Sequence, residues 1–145
     1  MKIQLASDLH LEHLARRFPG ETLIRPTHQA DVLVLAGDIG HAADAIALFA
    51  NWPVPVLYVL GNHEAYNGCI DSVLDELKAA SCGTSVRFLE REAVDFGGVR
   101  FLGCTLWTDY RLQCGLTQLQ LMENAQRFLN DHRLIWTLSG ELFSP

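Results

Sequence analysis

LYVLGNHEAY, residues 57–66, decides how the rest of the chain is read. Leu57, Tyr58, Val59 and Leu60 have the character of a buried strand. Gly61 then frees the backbone to turn, and Asn62, His63 and Glu64 follow, three side chains able to bind metals or move protons. The same event occurs twice upstream. The apolar run "KIQLA" (2–6) leads into Asp8-Leu9-His10, and "DVLVLAG" (31–37) leads into Asp38. The second run is apolar at nearly every position, as expected of a strand buried on both faces.

Helices are predicted between and after these strands. "AADAIALFANW" (42–52) has large apolar residues at helical spacing, and in "CIDSVLDELKAA" (69–80) Ile70, Val73, Leu74 and Leu77 form one face. Strand, helix, strand, helix implies parallel strands joined by crossover helices, an α/β fold. In such a sheet the carboxyl ends of the strands share one edge, where open α/β sheets place their sites. Asp8, His10, Asp38, Asn62 and His63 therefore become neighbours. The pattern then changes. "SVRFLE" (85–90) reads as a short strand, "AVDFGGVRFLGCTLW" (93–107) as a β-hairpin turning at Gly97-Gly98, and Leu116 to about Trp136 as one helix with Leu119, Met122, Ala125, Gln126 and Leu129 along one side.

Composition narrows the function classes. The chain has 145 residues, a size for one domain, and a net charge of −6. An acidic balance argues against an electrostatic grip on nucleic acid. A phosphate substrate stays open, because bound cations invert a local field. Cys69, Cys82, Cys104 and Cys114 form no C-x-x-C pair, so they read as reduced, mostly buried thiols of a cytoplasmic protein. The amino terminus is too brief in apolar character for a signal peptide, and no run is long enough for a membrane span. No G-x-G-x-x-G or P-loop follows any strand, which speaks against a nucleotide-binding module.

Two aspartates, a histidine and an asparagine on one spot need something positive between them. Otherwise Asp8 and Asp38 repel and one must stay protonated. A divalent ion removes the conflict, and mixed oxygen and imidazole ligands suit manganese, iron or zinc better than calcium. If Asp8-Leu9-His10 is extended, Asp8 and His10 point to the same side and can share one ion. Each block alone is an ordinary loop or helix cap. Their joint occurrence in order, each directly after an apolar strand, carries the reading.

The three blocks, Asp8-Leu9-His10, Gly37-Asp38 and Gly61-Asn62-His63-Glu64, resemble those of the calcineurin-like metallophosphoesterases. "FLGCTLWTDY" (101–110) and "NDHRLI" (130–135) are also similar to stretches of small members of that family. The resemblance implies part of a four-layer α/β/β/α sandwich and a two-metal hydrolase of phosphate mono- or diesters. It implies that Asp8 and His10 hold the first ion, Asp38 bridges both, Asn62 binds the second, and His63 is the general acid near the leaving oxygen. Two such ions, about 3.5–4 Å apart, clamp a phosphate and activate water. A histidine titrates in the right range for the proton transfer. Glu64 fits the block as a residue that orients the loop.

The family completes its site with three further histidines, one of them isolated and two in a G-H-x-H block. Gly40-His41 lacks the second histidine of that block, and His13, His28 and His132 are the other spare ones, with His13 and His28 flanking a loop and His132 on a surface helix. Residues 1–145 are accordingly expected to form a single, carboxyl-terminally incomplete domain that binds at most one ion and hydrolyses phosphoesters slowly. The alternative is a non-catalytic domain that binds a partner chain, or itself, through uncovered sheet. Trp107 and Tyr110 are expected in an aromatic core cluster, or else along a substrate pocket.

Overall fold

The computed structural model describes residues 1–21, 24–112 and 115–145. Strands β1 (Ile3–Ala6), β2 (Val32–Ala36) and β3 (Val56–Val59) form where the apolar runs were predicted. Between them lie helices α1 (Leu11–Arg17) and α2 (Ala42–Phe49). A single 3-10 turn, His63–Ala65, and the short strand β4 (Gly68–Cys69) lead into α3 (Ile70–Ser81) and β5 (Val86–Phe88). All three strand pairings of the central sheet are parallel, in the order β1-β2-β3-β5.

Side-chain alternation gives the sheet two different faces. Leu33, Leu35, Val56, Tyr58, Val86 and Phe88 point to one side, against Ala45, Ile46 and Phe49 of α2 and Val73 and Leu77 of α3. Val32, Val34, Leu57 and Val59 point to the other, where they meet the hairpin of β6 (Glu92–Phe96) and β7 (Val99–Gly103) through Val94, Phe96 and Phe101. The hairpin closes with Phe96 opposite Val99 and with positive φ at both Gly97 and Gly98, as the sequence predicts. Ile3 and Leu5 of β1, in register with Val32 and Val34, stay 51% and 67% exposed.

Three expectations are corrected. Helix α1 is absent from the sequence reading, because its seven residues are too few to establish a period and no side chain caps its start. His13 therefore lies on a helix. The single helix over 116–136 is instead α4 (Gln118–Phe128), a break at Leu129, the turn α5 (Asp131–Leu134) and strand β8 (Ile135–Trp136). Thr117 starts α4 with a full capping box to Gln120. Leu129 is extended, and the chain turns there so that Ile135 and Trp136 can pair in parallel with Gly68 and Cys69. The thiols are also less buried than expected: Cys82 is exposed, and Cys69 and Cys104 are half-buried. All three are free, and Cys114 lies outside the described residues. No helix among the described residues is long and apolar enough to cross a membrane.

Candidate metal centre

The ends of β1, β2 and β3 meet because their loops are hydrogen-bonded to one another. Asp8 N–H donates to Gly37 O at 3.0 Å, His10 N–H to Asp38 O at 3.0 Å, and Leu11 N–H to Ile39 O at 2.9 Å. Asp8, His10 and Asp38 all adopt left-handed backbone, with φ of 54°, 45° and 55°. Such conformations cost non-glycine residues about 1–3 kcal/mol each and persist only where surrounding structure imposes them. They also mean that Asp8-Leu9-His10 is not extended, so the expected same-side alternation of Asp8 and His10 does not apply.

Gly61 lies where the second and third loops touch. A Cβ there would stand 2.2 Å from Asp38 Oδ1 and 2.5 Å from Asp38 N, so only glycine leaves room. Below this contact sits Glu64, almost wholly buried. Its Oε1 accepts from Ile39 N–H (2.8 Å) and Tyr58 O–H (2.7 Å), and its Oε2 from Gly61 N–H (3.0 Å) and Asp38 N–H (3.2 Å). Four donors from two loops and one strand make this carboxylate the joint of the site. The loop-orienting role expected of Glu64 has that physical form. Burial, then the neighbouring Glu64 charge, pushes the Tyr58 phenol well up from its ordinary value, so it stays a donor.

Above the joint, His10, Asp38 and His63 each bring a ligand atom within 4.8 Å of the others. Asp38 Oδ1 accepts the His63 N–H at 3.0 Å, which ties the second block to the third. The His63 ring meets His10 edge-on at 4.4 Å between centroids and stacks on Tyr66 at 4.3 Å. His10 Nδ1 is buried and has no hydrogen-bond partner among the described residues. Glu12 Oε1 stands 3.6 Å from it, beyond a normal hydrogen bond. A buried imidazole nitrogen without a partner, beside a carboxylate and a second imidazole, fits a divalent transition metal. Asp8 is exposed at the end of β1 and stands outside this convergent group.

The amide nitrogen of Asn62 is bonded outside this group. Nδ2 donates to Asp131 Oδ1 at 2.7 Å and to the Tyr66 hydroxyl at 2.9 Å, and Tyr66 O–H donates to the same Asp131 oxygen at 2.8 Å. Burial, then the Asp131 bond, raises the Tyr66 pKa. Asp131 lies within the NDHRLI stretch but has no role in the sequence reading, since its partner lies 69 residues away. An open groove of about 550 Å3 runs past Asn62 and Asp131 to Thr105, Trp107 and Thr108. Trp107 thus lines a groove and also packs on Phe143 at 4.6 Å.

The spare histidines do not join the group. His28 and His41 are exposed, and His13 stacks outside His10 at 6.1 Å. His132 is buried, not on a surface helix as expected: Nδ1–H donates to Phe143 O at 2.8 Å, which leaves Nε2 to accept from Tyr110 O–H at 3.1 Å.

A family model described as calcineurin-like phosphoesterase matches residues 1–134. Neither the curated proteins nor the solved structures give a significant match to the chain.

Proposed function

The chain belongs to the calcineurin-like phosphoesterase family, and from that membership we propose that it is a metal-dependent hydrolase of phosphate mono- or diesters. The observation that carries this reading is the convergence of His10, Asp38 and His63 at the carboxyl ends of three parallel strands. In this reading Asp8, His10 and Asp38 hold one divalent ion, manganese, iron or zinc, and Asp38 and Asn62 offer ligands to a second. Bound there, such ions polarise a phosphoryl oxygen and lower the pKa of water. The protein's own part is positional and acid–base. Glu64 and Gly61 fix Asp38, and Asp38 Oδ1 fixes the backbone of His63. The His63 imidazolium gives its ring proton to the leaving oxygen of the ester, and Tyr66 holds the ring by stacking.

The free thiols of Cys69, Cys82 and Cys104 are consistent with the cytoplasmic setting we favour. One observation favours a second reading, a partner-binding domain without catalysis: the apolar side chains of Ile3 and Leu5 that the hairpin leaves bare. Hydrolysis of an aryl phosphate, followed with and without manganese, separates the two. Manganese-dependent turnover that disappears in Asp38→Asn supports the phosphoesterase. Turnover at the buffer rate, with or without metal, supports the partner-binding domain.

A further inference from the structure

An asparagine can serve as a metal ligand only through its carbonyl oxygen, and the amide is symmetric enough to turn the wrong way round. In the proposed site Asn62 is the ligand exposed to that ambiguity. What decides its orientation is a carboxylate, which only accepts hydrogen bonds. Asp131 Oδ1 takes one Nδ2 hydrogen of Asn62 at 2.7 Å, and the Tyr66 hydroxyl takes the other at 2.9 Å. Tyr66 closes the triangle by donating its own hydrogen to Asp131 Oδ1 at 2.8 Å. Both donors of the Asn62 amide are thus used, and its Oδ1 is the end left free.

The position of Asp131 has its own support. Asn67 N–H donates to Leu134 O, and Gly68 and Cys69 pair with Ile135 and Trp136, so the loop carrying Asn62 and the turn carrying Asp131 are joined as short parallel strands. Next to Asp131, His132 is buried and bonded to Phe143 O and Tyr110. The turn is therefore held at both ends. Asp131 itself is outside the group of ligand atoms that lie within 4.8 Å of one another.

We propose that Asp131 is a positioning residue for the metal centre, which orients the Asn62 amide so that Oδ1 is presented as a ligand. The inference rests on the metallophosphoesterase reading above. It follows the general rule that a carboxylate behind a ligand fixes the ligand's direction, at a cost of about 10–100-fold in metal affinity when removed.

Manganese binding by calorimetry tests it, on the unmodified chain, on Asp131→Ala, and on the exchange Asn62→Asp with Asp131→Asn. The exchange puts a carboxylate oxygen at the ligand position and an amide donor behind it, so the hydrogen bond survives with its direction reversed. Asp131→Ala is expected to bind the manganese that Asn62 ligates about 10–100-fold more weakly. The exchange is expected to regain most of that loss, which a merely structural role would not allow. Unchanged affinity in Asp131→Ala overturns the inference, and so does an exchange that binds as weakly as Asp131→Ala. If Asp131→Ala fails to fold, hydrogen exchange of the Asn62 side-chain amide in the metal-free unmodified chain decides. Protected amide hydrogens support the orientation, and hydrogens exchanging like a free amide overturn it. An unmodified chain that binds no manganese sinks the metal-centre reading itself, and this inference with it.

Discussion

Asp38 is bound at both its main-chain and side-chain ends. Its N–H is held by Glu64, and its Oδ1 accepts from His63. As the proposed bridging ligand, Asp38→Asn should lower bound manganese more than Asp8→Asn does. Metal analysis after gel filtration checks this, and equal metal content in Asp38→Asn and the unmodified chain would remove Asp38 from the site. His63 is assigned to proton transfer although its ring lies within the convergent group. His63→Ala should accordingly keep its metal content while manganese-dependent turnover falls by about 10²–10⁴. Loss of metal in that variant would make the ring a ligand. These residues were legible in the sequence because glycine, polar block and preceding strand recur together. Asp131 was not, since what defines it is a hydrogen bond across 69 residues.

At the scale of elements, the site depends on two loops packed backbone to backbone. Gly61→Ala would press a methyl against Asp38, and overpacking of this kind costs about 1–3 kcal/mol. Glu64→Ala would strip four donors of their acceptor, Tyr58 O–H among them, with a loss on the order of 3 kcal/mol or more. Urea unfolding midpoints measure both, and a Glu64→Ala chain as stable as the unmodified one would refute the structural role given to that carboxylate. The strands and the hairpin could be read from sequence because alternation, unbroken apolar runs and Gly97-Gly98 are local signals. Helix α1 and the break at Leu129 could not. The seven residues of α1 carry no cap, and the apolar period of α4 runs on past the point where β4 draws the chain into a strand.

For the whole molecule, parallel strands in the order β1-β2-β3-β5 with helices on one face follow from the alternation of elements along the chain. How far the hairpin covers the other face does not follow, because that depends on its docking angle. The outcome is a bare apolar strip at edge strand β1, with Ile3 and Leu5 exposed. We expect self-association through this strip, so Leu5→Lys should lower the weight-average mass in sedimentation at high concentration. A mass that stays monomeric in both chains would discard the strip as a contact surface. The central claim is that three strand ends build a metal centre, and manganese retained per chain after equilibrium dialysis tests it most directly. The account predicts manganese held by the unmodified chain and a clear loss in Asp38→Asn. An unmodified chain that retains no manganese, or an Asp38→Asn chain that retains just as much, would contradict it.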